Sequence, residues 1–163
     1  MSNNCCSREL DTDNHEMADV IETAVPRCGY CKGQSRSVSR KTVLLMLKPH
    51  LLEQAMTGSY SFCASPDCPV VYFDEEGNNK FTTDNLRVVV GVKTSIDPIP
   101  LCYCFGFDVS HIRDEIARTG RTTIPERISV LIRKGLCACE TRNPAGVCCL
   151  GEVNRVAKLV LPE

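Results

Sequence analysis

The sequence predicts an α+β fold in which a small β-rich module precedes a small helical domain. Short runs of β-branched and aromatic residues, such as Val70–Phe73, occupy the first hundred positions. After Asp108, apolar residues recur at helical spacing between capping residues. Twelve cysteines, many in close pairs, are distributed over both parts. A chain of 163 residues has room for two small domains, and small domains need a staple such as a metal or disulfides.

The composition argues against several classes of partner. A net charge of −1 and the lack of a basic run argue against nucleic acid and against anionic membrane surfaces. The apolar runs are too short to span a bilayer, so no membrane insertion is expected. Residues 1–14 are polar and lack the apolar segment of a secretory signal. We therefore expect a cytoplasmic protein whose thiols stay reduced.

The first part of the chain is predicted to comprise a flexible tail and the β-rich module. The tail, residues 1–25, carries Cys5 and Cys6, which are either free thiols or a soft-metal site. The stiff, proline-rich connector Asp97–Pro100 places the end of the module at residue 98. Within residues 26–98 the pattern predicts a short helix over Pro49–Met56 and β-type runs at Thr42–Leu47, Tyr60–Phe62, Val70–Phe73 and Leu86–Val92.

Four cysteines of this module form two pairs with the spacing of structural zinc ligands. Cys28 and Cys31 form a C-x-x-C pair in which Gly29 allows a tight turn, and Cys63 and Cys68 form a C-x4-C pair. Four thiolates fit a closed tetrahedral Zn²⁺ site, although iron also suits tetrahedral sulfur. Such close pairs disfavour a secreted disulfide scaffold. A thioredoxin-like redox motif would need a helix start that the polar residues after Cys31 do not provide.

Residues 99–163 are predicted to form the helical domain. Asp108 caps the first helix and Gly120 ends it, and Thr123 with Glu126 has the form of a capping box that starts the second. The three helices are expected at Val109–Arg118, Ile124–Lys134 and Leu150–Leu159. The inward residues of the third are expected to be Val153, Val156 and Leu159.

Six cysteines of the helical domain lie at two distant places in the sequence. Cys102 and Cys104 form a C-x-C pair, and four more follow the second helix at positions 137, 139, 148 and 149. A C-x-C pair completed by a distant second pair meets the requirement of a [2Fe–2S] cluster held by four thiolates. Spacing alone leaves open which four of the six are ligands.

These motifs resemble a known family. The run Cys102-Tyr103-Cys104-Phe105-Gly106, together with Cys137-x-Cys139 and Asn143-Pro144-x-Gly146-x-Cys148-Cys149, is similar to the iron–sulfur domain of CopZ-type copper chaperones and to bacterioferritin-associated ferredoxin. The segment Tyr60–Phe73 resembles the zinc-binding module that precedes that domain in the same family. Chaperones of this family carry a further heavy-metal-associated domain with a Met-x-Cys-x-x-Cys copper loop, and these 163 residues contain no such motif.

The resemblance implies a specific set of ligands. For the [2Fe–2S] cluster they are Cys102, Cys104, Cys139 and Cys149, and for Zn²⁺ they are Cys28, Cys31, Cys63 and Cys68. Cys137 and Cys148 are then expected to pack in the domain or to act as alternative ligands.

The two sites together predict a redox role in metal handling. A [2Fe–2S] cluster passes one electron at a time, and Cu(II) needs one electron to become Cu(I), the form that thiolates prefer. We therefore expect a cytoplasmic protein of copper homeostasis that supplies electrons for metal reduction before hand-off to a copper chaperone, exporter or reductase. Such a protein is a one-electron metal reductase, or else a non-enzymatic electron carrier or metallochaperone component. The alternatives are a ferredoxin-like partner of a reductase and a redox- or iron-sensing interaction protein.

Overall fold

The computed structural model describes residues 26–161 and confirms the predicted α+β fold. The strands are β1 (Ser35–Val38), β2 (Tyr60–Cys63), β3 (Val70–Asp74), β4 (Lys80–Thr82), β5 (Pro100–Cys102) and β6 (Phe107–Asp108). The α-helices are α1 (Arg40–Met46), α2 (Val109–Thr119), α3 (Ile124–Arg133), α4 (Cys139–Arg142) and α5 (Leu150–Val160). Short 3-10 helices cover Pro49–Ala55, Thr83–Asn85 and Gly91–Lys93. The first of these is the short helix predicted in the β-rich module.

Strands β1 to β4 form one antiparallel sheet in sequence order. The register pairs Ser35 with Cys63 and Phe62 with Tyr72. Because successive side chains of a strand point to opposite faces, Phe62 joins the main core while Cys63 joins a smaller buried cluster. Strands β2 and β3 are buried along their whole length. The sheet therefore has an aromatic core on one face and cysteines on the other. Its edge strand β1 was not predicted, because the sequence around it is polar.

The predicted strand Thr42–Leu47 is wrong, because all of it except Leu47, the C-cap residue, lies in helix α1. The Ser39 hydroxyl accepts a hydrogen bond from the backbone N–H of Thr42 (3.1 Å) and caps α1. The buried residues of α1 are Thr42, Val43 and Met46, which lie on one helical face. A short apolar run cannot by itself distinguish a buried strand from a short helix. Here the N-cap and the packing of that face on the sheet favour the helix.

The run Leu86–Val92 is not a strand either. Leu86 makes an isolated bridge with Leu47, and the N–H of Arg87 donates to the carbonyl of Met46 (2.9 Å). The start of the run is therefore attached to the end of α1, and its last two residues begin the 3-10 helix Gly91–Lys93. Of its valines only Val90 is buried, whereas Val89 and Val92 are exposed. The β-branched residues therefore indicated neither burial nor pairing, since β propensity depends strongly on context.

The helical part follows the prediction closely. The Asp108 side chain accepts a backbone N–H at the start of α2, and Gly120 ends the helix with a φ of 77°. Helices α3 and α5 are present within a residue of the predicted bounds. In α5 the predicted inward residues Val153 and Val156 are buried, but Leu159 is 70% exposed, so its inward placement was wrong.

The start of α3 is capped differently from the prediction. Thr123 is the N-cap residue but its side chain makes no capping hydrogen bond. Instead, Glu115 of α2 accepts hydrogen bonds from the Thr122 hydroxyl (2.7 Å), the Thr123 N–H (3.0 Å) and the Thr123 hydroxyl (2.9 Å). These bonds lower the pKa of Glu115 to about 2, and the bond from Thr122 has the largest effect. A carboxylate from the neighbouring helix therefore replaces the predicted capping box.

The two halves have separate hydrophobic cores. One lies between the four-stranded sheet, α1 and the first 3-10 helix, and the other lies among α2, α3 and α5. The predicted boundary at residue 98 falls between them, but α1 contacts α4 across it, so independent folding of 26–98 and 99–163 stays a prediction. The predicted tail with Cys5 and Cys6 lies outside the described residues. Between residues 26 and 161, no helix has the length and apolar character needed to cross a bilayer.

Candidate metal centres

The first group of sulfurs lies at one end of the four-stranded sheet. Cys28 and Cys31 lie on the turn before β1, Cys63 ends β2, and Cys68 lies just before β3. Because β1 pairs with β2 at Ser35 and Cys63, the fold brings the two predicted pairs together. The four Sγ atoms all lie within 4.8 Å of one another.

The distances in this group fit a tetrahedral metal ion. Cys28 Sγ is 4.0 Å from Cys68 Sγ, and Cys31 Sγ is 3.6 Å from Cys63 Sγ. A tetrahedral ion with Zn–S bonds of about 2.3 Å places its sulfur ligands about 3.8 Å apart. Three of the four cysteines are buried and Cys31 is exposed. A site closed by four thiolates leaves no open position for substrate, which is typical of structural rather than catalytic zinc.

The thiols of this group differ in acidity. The contact between Cys31 Sγ and the Ser65 hydroxyl (3.4 Å), and then the hydrogen bond from the Gly33 N–H (3.3 Å), lower the pKa of Cys31 to about 6. Burial raises the pKa of Cys28, and it raises that of Cys68 to about 12. A metal ion must therefore displace protons from the buried thiols, whereas Cys31, where the site meets solvent, loses its proton more readily than Cys28 or Cys68.

The turn that carries Cys31 depends on Gly33. A Cβ atom at position 33 would overlap the Ser65 hydroxyl and lie 3.1 Å from Cys31 Sγ. Nothing lies within 4 Å of a Cβ at position 29, and the left-handed residue of the turn is Lys32, with a φ of 59°. The expectation that Gly29 allows the tight turn was therefore wrong. Ser65 is a contact of this site that cysteine spacing could not predict.

A second group of sulfurs lies where the helical part meets the sheet module. Cys102 ends β5 and Cys104 lies in the turn before β6. Cys139 is the first residue of α4, and Cys149 is the N-cap of α5. The fold thus brings sulfur atoms from both distant parts of the sequence together, and these four are the cysteines that the resemblance selects.

The second group is arranged as two pairs. Cys104 Sγ lies 3.7 Å from Cys139 Sγ. Interaction with the Cys149 thiol lowers the pKa of Cys102 to about 6. Among the described residues, only the first group has all its ligand atoms within 4.8 Å. Two pairs suit a cluster of two irons, because each iron of a [2Fe–2S] centre takes two thiolates.

The surroundings of the second group favour negative charge on some sulfurs. The N–H of Ala138 donates to Cys104 Sγ (3.4 Å), and the start of α5 lies at Cys149. Such N–H groups and helix N-termini stabilise anionic sulfur, and hydrogen bonds to sulfur tune a cluster's potential. Burial raises the pKa of Cys139, and interaction with Cys102 together with burial raises that of Cys149. As in the first group, metal binding must displace these protons.

The neighbouring side chains have other roles. Cys148 is exposed, so the expected packing role does not apply to it, whereas Cys137 is half-buried. His111 accepts a hydrogen bond from the Asp108 N–H at Nδ1 (3.3 Å), and its side chain is 52% exposed. His111 therefore belongs to the cap of α2.

Comparison with known proteins supports the zinc site and the fold. Residues 26–87 match a family model described as a zinc binding domain. The copper chaperone CopZ of Archaeoglobus fulgidus is 30% identical over 130 residues, which cover 80% of this chain and 61% of that protein. The X-ray structure of the N-terminal domain of Archaeoglobus fulgidus CopZ matches with a TM-score of 0.68 and 28% identity, covering 85% of this chain and all of that domain.

The predicted resemblance has a zinc-binding part and a [2Fe–2S] part, and the comparisons support only the first. The zinc-binding part is confirmed, because the matched segment contains the four-cysteine group. The fold of the N-terminal CopZ domain is confirmed over most of this chain. The chain spans less than two thirds of the chaperone's length. The [2Fe–2S] part of the resemblance stays a prediction.

Proposed function

We propose that this protein is a redox protein of copper handling that holds Zn²⁺ in its sheet module and a [2Fe–2S] cluster in its helical part. In this proposal the zinc ligands are Cys28, Cys31, Cys63 and Cys68, and the cluster ligands are Cys102, Cys104, Cys139 and Cys149. The protein supplies electrons that reduce Cu(II) before a copper chaperone, exporter or reductase receives the metal.

The single observation that carries the proposal is the pairing of the second sulfur group. Cys104 and Cys139 lie at a separation that suits one tetrahedral iron, and Cys102 and Cys149, whose thiols influence each other's pKa, form a second pair. A second zinc ion would instead favour one compact set of four, as in the first group. The similarity to a copper chaperone supports copper as the metal that is handled.

The residues of the chain account for three parts of this function. The sheet module holds a closed site that stabilises the fold and takes no part in chemistry. A cluster in the second site supplies one electron at a time. The backbone around that site, including the N–H of Ala138, donates to sulfur and so sets how readily an electron is accepted. Reduction of Cu(II) consumes one electron, which an external donor protein must replace.

Anaerobic purification with metal analysis tests the proposal. We expect two irons, two sulfides and one zinc per chain, with visible absorption and an electron paramagnetic resonance signal after reduction with dithionite. A colourless protein with two zinc ions and no sulfide would refute the redox function. It would leave a zinc-binding interaction protein.

A second experiment separates copper handling from general electron transfer. The reduced protein is mixed with Cu(II) and a Cu(I)-specific chromogenic chelator, and the Cu(I) formed is compared with the cluster oxidised. We expect one Cu(I) per cluster. If the tail thiols receive the metal, the double substitution Cys5→Ser/Cys6→Ser should abolish Cu(I) binding without affecting the cluster. Reduction of cytochrome but not of Cu(II) would favour the ferredoxin-like alternative. If loss of the cluster changes the binding of a partner protein, the redox- or iron-sensing alternative would be favoured.

A further inference from the structure

Three side-chain hydroxyls connect the two halves of the protein close to the second sulfur group. The Tyr72 hydroxyl donates to the carbonyl of Pro144 (2.7 Å), and the Thr42 hydroxyl donates to that of Glu140 (2.5 Å). The Tyr103 hydroxyl donates to the carbonyl of Val89 (2.9 Å) and accepts the N–H of Gly91 (2.8 Å). All three contacts link residues far apart in sequence.

Two of these bonds end on the loop between Cys139 and Cys149, whose internal hydrogen bonds, such as those of the Asn143 side chain to Ala145 and Val147, are all short-range. It contains the four-residue helix α4 and a turn in which the N–H of Gly146 donates to the carbonyl of Asn143 (2.8 Å). Isolated helices of this length are not stable, so the loop needs tertiary contacts to hold its shape.

The sheet module supplies those contacts. Pro144 is fully buried, and Ala145 packs against the core of the sheet module. A Cβ atom at Gly146 would lie 3.3 Å from Val38 of β1, so the loop backbone lies directly on the sheet module. The sulfur-bearing loop of the helical part therefore takes its shape from the other half.

Strand β3 lies between the first sulfur group and the loop of the second, and a register shift between Val70 and Tyr72 lets these two residues join different buried clusters. Tyr72 belongs to the main core and bonds to the loop, whereas Val70 and Phe73 lie in the buried cluster with Cys28, Cys63 and Cys68. One short strand thus packs against the first sulfur group and holds the loop of the second.

We propose that Tyr72, assisted by Thr42, is a positioning residue that holds the Cys139–Cys149 loop in the geometry that the second metal centre requires. The inference rests on the proposed function, because it takes that centre to be the [2Fe–2S] cluster. Tyr72 touches neither the sulfurs nor the metal and acts through the loop backbone. The sheet module is then a support for the cluster as well as a zinc site.

Tyr72→Phe and Tyr60→Phe form a matched pair for the test. Both tyrosines are buried in the same core, and each donates its hydroxyl to a backbone carbonyl. Tyr60 bonds to Thr57 (3.0 Å) within its own module, whereas Tyr72 bonds to the loop of the other half. Each substitution removes one hydroxyl, which in Tyr60 also lies 3.5 Å from the carbonyl of Gln54, but only Tyr72→Phe releases the loop.

The main measurement is the rate at which the anaerobically purified full chain loses visible cluster absorption to an iron chelator. We expect Tyr72→Phe to lose its cluster about fivefold faster than wild type, the factor that one net hydrogen bond supplies. Its electron paramagnetic resonance spectrum should also shift, and zinc should stay at one per chain. Tyr60→Phe should change neither the rate nor the spectrum. Thr42→Val, which removes the second bond, should behave as Tyr72→Phe does.

The outcomes separate this inference from the proposed function. A wild-type protein without iron and sulfide would overturn both. Wild-type protein with its cluster, but with equal loss rates and spectra in Tyr72→Phe and Tyr60→Phe, would overturn the positioning role alone. If Tyr72→Phe fails to fold, the rate of cluster loss and the electron paramagnetic resonance spectrum are measured for Thr42→Val instead. A rate and a spectrum equal to those of wild type would then overturn the inference.

Discussion

The junction between the two halves can be tested at Gly91, where the backbone of one half touches that of the other. A Cβ atom at this position would lie 3.1 Å from the carbonyl carbon of Pro100 and would overlap its oxygen. The backbone of Gly91 is not in the left-handed region, so Gly91→Ala introduces a steric overlap and no strain in the backbone dihedral angles. Two backbone segments must separate by on the order of 1 Å, which breaks the hydrogen bond from Gly91 to Tyr103 (2.8 Å).

The cost of Gly91→Ala follows from these two effects. Overpacking costs about 1–3 kcal/mol, and the lost hydrogen bond adds about 1 kcal/mol, so the free energy of unfolding should fall by about 2–4 kcal/mol. For a chain of this size that corresponds to a fall in Tm of on the order of 10 °C.

The assay is thermal unfolding of the metal-loaded protein, followed by far-ultraviolet circular dichroism and by visible absorption. Gly151→Ala is the matched control, because nothing lies within 4 Å of a Cβ there and alanine is the better helix former in α5. Its Tm should be equal to or slightly above that of wild type. A Gly91→Ala protein that melts within 1–2 °C of wild type, roughly the error of such a comparison, would refute the close packing of the junction.

Two further predictions concern the cap of α3 and the first metal centre. Glu115→Ala should lower the free energy of unfolding by about 1–2 kcal/mol at pH 7. This value is smaller than the free energy that corresponds to the full pKa shift, because the carboxylate is partly exposed and solvent weakens its interactions. The folded-state pKa of about 2 is below the usual value of 4.5, so this stabilisation is complete above pH 4.5 and is lost as the pH falls towards 2. Urea unfolding should therefore give the same difference from wild type at every pH from about 5.5 to 8, and a difference that grows or shrinks across that range would contradict the assignment. Cys28→Ser should lower bound zinc below one per chain and Tm by on the order of 10 °C, because a fully buried ligand is lost. The control Cys148→Ser changes an exposed thiol outside both proposed ligand sets, and elemental analysis should find its zinc and iron unchanged.

Local signals in the sequence were sufficient where neighbouring residues decide the structure. Asp108 and Gly120 bound α2 as predicted, because a cap acts on N–H and C=O groups within one turn. The same reasoning failed at Thr123, whose capping partner Glu115 comes from the preceding helix. It also failed at Thr42–Leu47, where burial on a sheet favoured a helix over the strand that the apolar run suggested.

What the sequence determined by itself is the chemistry that the protein can hold. The close cysteine pairs have the spacing of metal ligands, and the first set of four does come together in the fold. Helix caps and apolar periodicity determined the helical part in the same local way.

The tertiary structure decided which distant groups meet. It placed Cys139 beside Cys104 and left Cys148 exposed, although Cys139 and Cys148 belong to the same cysteine-rich stretch. It also set the hydroxyl of Tyr72 on the carbonyl of Pro144, 72 residues away. No spacing rule predicts such a contact, because a buried aromatic in a strand looks the same in sequence whether or not its hydroxyl reaches another part of the fold. The support of the second sulfur group by the sheet module is therefore a property of the folded chain.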